Sequence, residues 1–325
     1  MPTLGNPPGV ANREWRRRIP EATSTPMLDK LRHLVGLSDP AAPWGIYTLA
    51  NDGVADSVLA LFESLERFAP GLPVRVIPYD DRQELLAPIV RGFGHAYFDS
   101  PEVAALQRLG ESHYPEQEFA ARGFRKLAAF RGPFARFLFV DSDVVALSPL
   151  APLLAAIVAA QADLIHFDTD LEQVYQPGPL RDRMVARGAR GFNAGLFVGR
   201  RGVLTAERLA ETLRTLEPDW RAQLVPNAEQ PFLNYYADLA ALEVRAAHEL
   251  LADHCSTCWP AVGRIEFDGT AYRLRDSGRW DEGWQMFFAH WAGFPLGPDM
   301  PNRALFEEFH SGAVRRLTAL GGSRR

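Results

Sequence analysis

Cysteine is almost absent: the 325 residues contain two, Cys255 and Cys258. That is too few for a disulfide framework. No apolar stretch reaches the roughly 18–20 residues of a membrane span. The nearest candidate, Leu150 to Ala160, is rich in small alanines and contains Pro152. The N-terminus lacks the apolar core of a secretory leader. Neither sign of charge dominates: 35 Lys plus Arg stand against 40 Asp plus Glu, a formal charge of −5. Such a balance leaves no electrostatic footprint for nucleic acid. The expectation is a soluble, cytoplasmic protein with no transmembrane segment.

The chain is 47% hydrophobic and 23% charged, ordinary values that argue against disorder and against a fibrous repeat. Residues 1–42 differ from the rest and read as a partly flexible N-terminal extension. Proline punctuates them, Arg16-Arg17-Arg18 forms a short basic run, and a helix from Leu28 to Leu37 fits the apolar spacing. Residues 43–325 read as one domain with a C-terminal elaboration.

From Trp44 the pattern is regular. Strands are expected at 44–50, 73–79, 96–98, 137–140, 163–167, 192–198, 242–245 and 286–291. Helices are expected at 54–68, from about Asp81, and at 119–130, 150–160, 205–216, 229–239 and 302–320. Alternation of strand and helix up to about Val198 predicts a mostly parallel sheet covered on both faces. Ligands in such sheets bind beyond the carboxyl ends of the strands, so the chemistry is sought just after the apolar runs.

The strongest signal there is Phe137-Leu-Phe-Val-Asp141-Ser142-Asp143. Two carboxylates two residues apart point to one side if extended geometry persists. Such a pair suits a hard divalent cation, Mn²⁺ or Mg²⁺, often completed by substrate phosphate oxygens. A second copy, Asp168-Thr169-Asp170, also follows an apolar run. Standing alone, the motif is common in solvated loops, so the order of the other segments matters. Gly45-Ile-Tyr-Thr48-Leu-Ala50-Asn51-Asp52 precedes it, with Arg125-Lys126 between. Asn193-Ala194-Gly195, Glu229-Gln230 and His290-Trp291-Ala-Gly293 follow.

This ordered set, over residues 44 to 294, resembles the GT-A nucleotide-sugar glycosyltransferases, in particular family 8 and its bacterial relatives. The resemblance implies an α/β fold with a Rossmann-like mixed sheet and helices on both faces. It implies transfer of a sugar from a nucleotide sugar, UDP first, with retained anomeric configuration, to an acceptor of unread class: glycan, lipid, protein or small molecule. Asp141, Asp143 and His290 would hold the metal. Thr48, Ala50, Asn51, Asp52, Lys126, Asp141, Ser142, Ala194, Gly195 and Gly293 would line the donor. Asn193, Glu229 and Gln230 would stand at the reacting sugar. Read as residues alone, His290 defaults to a core histidine, Glu229-Gln230 to a helix first turn capped by Asn227, and Asp52 to a cap of the helix after it.

One departure stands out. The family places Lys six positions after the histidine, where this chain has Leu296; Arg125, Lys126, Arg200 and Arg201 are the candidate replacement cations. The change keeps open a non-catalytic nucleotide-sugar binder. A haloacid-dehalogenase-like phosphatase is a further alternative, since an apolar strand followed by D-x-D also opens that family and Phe267-Asp268-Gly269-Thr270 echoes it. Cys255-Ser-Thr-Cys258, preceded by His248, Asp253 and His254, offers one pair plus neighbours where zinc needs four ligands, and reads first as inert thiols, ahead of metal or redox roles. Trp259, Trp280, Trp284 and Trp291 cluster late in the chain. Such rings form sugar platforms but more often pack a core or a lid.

Overall fold

A computed structural model of the chain describes residues 44–251, 254–255 and 263–322. The expected N-terminal extension, the Arg16–Arg18 run, Cys258, Trp259 and the Cys255 side chain lie outside the described residues. The β-prone run Trp44–Ala50 forms β1. The amphipathic stretch after it forms α1, Ala55–Phe68, which buries Val58, Leu61, Phe62 and Leu65. Then follow β2 (Val74–Pro78), α2 (Leu86–Gly92), β3 (Ala96–Tyr97), α3 (Pro101–His113), α4 (Glu118–Gly123) and a 3-10 turn at Phe124–Arg131. The middle of the chain gives β4 (Arg136–Val140), β5 (Val144–Ala146), α5 (Ala151–Ala160), β6 (Leu164–His166), α6 (Pro179–Ala186) and β7 (Leu196–Arg200). It continues through α7 (Ala206–Arg214), α8 (Pro218–Arg221), α9 (Gln230–Leu239) and β8 (Val244–Ala246). The last part holds β9 (His254–Cys255), β10 (Arg264–Phe267), β11 (Tyr272–Arg275), β12 (Gln285–Met286), β13 (Phe288–His290) and α10 (Arg303–Gly322).

Seven strands form the main sheet in the order β3-β2-β1-β4-β7-β6-β8. Pairings β1–β2, β1–β4, β2–β3 and β6–β8 are parallel; β7 runs antiparallel to both β4 and β6. The sheet is therefore mixed, mostly parallel, and helix-covered on both faces, as the sequence predicts. Period-two alternation divides β4 between two cores. Phe137 and Phe139 pack with Phe130 and Phe197 on one face, while Leu138 and Val140 meet Val58, Leu61 and Leu153 on the other. A strand buried on both faces reads as an unbroken apolar run.

Three expectations need correction. The helix expected near Asp81 begins at Leu86, because the Asp52 carboxylate accepts from the Glu84, Leu85 and Leu86 amides at 2.9–3.0 Å and fixes the start there. Asp52 thus caps α2 rather than the helix that follows it in sequence. The strand expected at 192–198 begins at Leu196; the Phe192 and Ala194 amides pair with the Asn234 and Gln230 side chains, not with a neighbouring strand. Helix α3 is absent from the sequence reading, although Ser100-Pro101-Glu102 is a helix-start signal.

Beyond the main sheet, β5 pairs antiparallel with β13, register Val144↔His290 and Ala146↔Phe288. Helix α1 anchors this ribbon. Ser64 Oγ donates to the Leu61 carbonyl at 2.7 Å and accepts from the Ala146 amide at 2.9 Å, fully buried. Ser64→Ala would leave that amide unsatisfied, which costs about 1–3 kcal/mol. Urea unfolding should show a loss of about that size; an unchanged midpoint would contradict the anchoring role.

Candidate functional site

Strand β4 delivers Asp141 to the carboxyl edge of the sheet. The Asp141 amide donates to the Gly195 carbonyl at 2.7 Å, extending the β4–β7 pairing by one residue. The chain then turns through Ser142 and Asp143 into β5. Because Val144 pairs with His290, the histidine arrives beside Asp143, and the Trp291 amide donates to the Asp143 carbonyl at 3.0 Å. His290 Nε2 lies 3.3 Å from Asp143 Oδ1. Asp141, Asp143 and His290 each offer a ligand atom, all within 4.8 Å of one another. Among the described residues Asp168 and Asp170 do not join that group.

The chemistry of the triad fits a divalent cation. Two carboxylates and an imidazole are a reasonable set for Mn²⁺ or Mg²⁺. The protonation tendencies diverge, as they do where like charges are packed without enough counter-charge. Burial, with Asp143 close by, lifts the Asp141 carboxyl above its ordinary range despite Lys126. Burial would lift Asp143 too, but His290 holds it below. Burial disfavours the His290 imidazolium, yet Asp143, then Asp141 and Asp168, raise its pKa above the usual value. The carboxylates keep partial exposure while His290 is 2% exposed, so solvent or a ligand reaches the acidic side.

Gly195 makes room for this geometry. A Cβ there would stand 2.6 Å from Asp141 Oδ2, 2.7 Å from His290 Cε1 and 2.9 Å from Asn193 Oδ1. Helix α9 holds the neighbouring backbone. Asn234 clasps Phe192 through both amide atoms at 2.9 Å, and Gln230 Oε1 accepts from the Ala194 amide at 2.9 Å. Asn193 Oδ1 accepts from the Gly195 amide at 2.7 Å, and the Asn193 backbone amide donates to the Asp168 carbonyl at 3.1 Å.

Lys126 comes from the 3-10 turn before β4. Its Nζ lies 2.8 Å from Glu229 Oε1 and 3.2 Å from Asp141 Oδ1, over the Phe139 ring. Burial alone would lower its pKa, but the two carboxylates hold it above the ordinary lysine range. Glu229 is 3% exposed, and burial pushes its carboxyl up against the pull of Lys126. Asn227, the expected cap of α9, spends its side-chain amide on Gln173 at 3.2 Å.

The other expected donor residues divide. Ala50, Asn51 and Asp52 sit at the carboxyl end of β1, where Asn51 donates to Asp80 Oδ2 at 2.8 Å. Asp80, which the sequence reading misses, also accepts from Arg82 and Arg122. Its signal is present: Tyr79-Asp80-Asp81 follows the β2 run as Asp141 follows β4. Thr48 is fully buried in the layer under α1, with its hydroxyl unpartnered, and has no exposed atom for a donor. Gly293 adopts φ +76° in the turn after His290, and Leu296 is 43% exposed.

Of the candidate replacement cations, Arg200 and Arg201 are ruled out by strand direction. Arg200 pairs with Arg136, at the opposite end of β4 from Asp141, about 16 Å away at ~3.3 Å per residue. Arg125 donates to the Tyr79 carbonyl at 2.7 Å, leaving Lys126 as the cation that touches the triad. The phosphatase echo at Asp268 is a hairpin turn: its carboxylate accepts from the Thr270 and Ala271 amides between β10 and β11. A cavity of about 420 Å³ lies off the triad, lined by His113, Tyr114, Arg221 and Phe232.

Gly195→Ala should remove the space the triad needs while keeping β7. Mn²⁺ titration followed by electron paramagnetic resonance should show affinity falling at least about tenfold, as Asp143→Asn also should. Unchanged Mn²⁺ affinity in both variants would contradict the assignment of the triad.

No family profile matches the sequence, and no curated protein matches it. Solved structures do. An active-site mutant of LgtC is 17% identical over 82% of this chain and 95% of that one, with a TM-score of 0.56. WbbM, a bifunctional glycosyltransferase, is 14% identical over 85% of this chain and 52% of that one, with a TM-score of 0.52. At such identities the likeness shows the fold: the chain has the α/β architecture of these glycosyltransferases, as its motif order implies.

Proposed function

We propose that this chain is a metal-dependent glycosyltransferase that moves a sugar from a nucleoside-diphospho sugar to an acceptor hydroxyl. The observation that carries it is the convergence of Asp141, Asp143 and His290 around Gly195, on a glycosyltransferase fold. UDP is the nucleotide implied by the resemblance, and residues 43–325 are read as one catalytic domain. Among the described residues no helix is long and apolar enough to cross a membrane; the cytoplasmic reading rests on the sequence alone.

Asp141, Asp143 and His290 would hold Mn²⁺ or Mg²⁺, which would supply Lewis-acid stabilisation of the leaving diphosphate. Asn51 and Asp52 shape the β1 edge toward the nucleoside. Asn193, Ala194 and Gly195 offer a small-residue surface along which a sugar approaches the backbone closely. Gln230 orders that surface through the Ala194 amide. Lys126 brings a buried positive charge to the triad, where leaving-group charge would develop. That role offsets the absence of a lysine at Leu296 and favours catalysis over the non-catalytic reading.

An inverting reaction needs a carboxylate base at the acceptor hydroxyl. The candidates are otherwise engaged. Glu229 is ion-paired with Lys126, Asp170 accepts from the Gln173 amide, and Asp168 is buried at 7% exposure. This supports the retaining reading, in which the acceptor attacks the face the diphosphate leaves and its proton passes to the departing oxygen.

A panel of UDP-sugars with Mn²⁺ tests the proposal. Expected is metal-dependent release of UDP, reduced roughly 10²–10³-fold in Asp143→Asn, with the transferred sugar keeping its anomeric configuration by NMR. Metal-independent release, or none from any nucleotide sugar, would overturn it.

A further inference from the structure

The late tryptophans separate in the fold. Trp291 is 1% exposed in the core and Trp284 is half-buried, while Trp280 is 66% exposed. Its loop, between β11 and β12, is nevertheless tightly built. The Glu282 carboxylate accepts from the amides of Asp276, Ser277 and Gly278 at 2.8–3.1 Å. Arg279 makes a two-point bond, 2.8 Å each, to Asp281, which is 2% exposed. The indole packs edge-to-face with two rings, His248 at 5.2 Å and 68° and Trp284 at 5.0 Å and 83°. A large ring fixed in place yet open to solvent is pre-formed for stacking on a flat ligand face.

The loop stands on the reacting edge of the sheet. Strands β4, β6 and β8 run in the same direction, so Asp141, Asp168 and His248 all follow carboxyl ends on one side. At ~4.8 Å per strand, β8 lies about 14 Å from β4, and Trp280 packs on His248 just beyond it. That span is more than one sugar ring from the triad. The neighbouring charges already have partners: Arg279 pairs with Asp281, Glu282 accepts from backbone amides, and Glu249 pairs with Arg190 and Arg245.

We propose that Trp280, held by His248 and Trp284, is a stacking platform for a neutral oligosaccharide acceptor, engaging a sugar unit remote from the reacting hydroxyl. The proposal rests on the glycosyltransferase reading for its direction along the edge. It commits to a glycan acceptor, because the flat C–H face of a pyranose matches an open indole and the charged groups around it are already engaged with partners in the fold. A ring packed against His248 and Trp284 has little freedom left to lose on binding.

The test titrates neutral oligosaccharides of two to six units, and the matching monosaccharides, into the full chain by calorimetry. Trp280→Ala and Trp280→Phe are compared with wild type, and UDP binding with Mn²⁺ is measured in all three. Expected is binding of oligosaccharides in preference to monosaccharides, weakened about tenfold or more in Trp280→Ala and largely kept in Trp280→Phe, with UDP affinity unchanged. Equal oligosaccharide affinity in Trp280→Ala would overturn the platform, as would absence of oligosaccharide binding in wild type that binds UDP. Trp280-dependent oligosaccharide binding without UDP binding would sustain the platform and strike the donor reading alone.

Discussion

The constraint on which the site depends is mutual repulsion between Asp141 and Asp143. Their ligand oxygens lie within 4.8 Å of each other, and two like charges at that distance repel by roughly 3 kcal/mol or more at an effective dielectric near 20. The fold holds them together by placing Lys126 against Asp141 and His290 against Asp143. Even so, the pair remains strained, with one carboxyl pushed up and the other down. A divalent cation would relieve that repulsion directly, which supports the proposed metal site.

Each partner arrives by a different route. Asp141 comes off a doubly buried strand, and Asp143 lies one residue before a ribbon whose register brings His290 back from 147 residues away. Ser64 ties that ribbon to α1. Lys126 is brought from a 3-10 turn and fixed from behind by Glu229, at the start of α9. That same helix uses Gln230 and Asn234 to hold residues 192–195 out of the regular ladder. Glu229 and Gln230 thus act on the triad through Lys126 and through the backbone beside Gly195. The departure from strand geometry at 192–195 sets Gly195 against Asp141 and His290, where a Cβ would meet both.

The sheet and the triad are legible in the sequence because their signals are local or strongly patterned. Phe137–Val140 is apolar on both faces, and α1 carries its stripe at helical spacing. His290 is identifiable only through the order of motifs, since its partner Val144 is far away in sequence. Glu229 reads as a reacting carboxylate because its pairing with Lys126 spans about a hundred residues and leaves no local mark. Thr48 reads as a donor contact for a related reason: a strand sequence does not say how deep each residue sits. Asp52 is assigned to the wrong helix because a cap is satisfied by whichever amides lie nearest, here those of α2. Arg200 shows the effect of topology, since one antiparallel strand carries it to the far end of the sheet.

The central claim is that the triad exists to bind a nucleoside diphosphate through a divalent cation. Calorimetric titration of UDP into wild type and Asp143→Asn, with Mn²⁺ and with chelator, tests it most directly. The account predicts binding by wild type only with Mn²⁺, and none by the variant in either condition. Equal UDP binding with Mn²⁺ and with chelator, or no binding by a folded wild type, would contradict it.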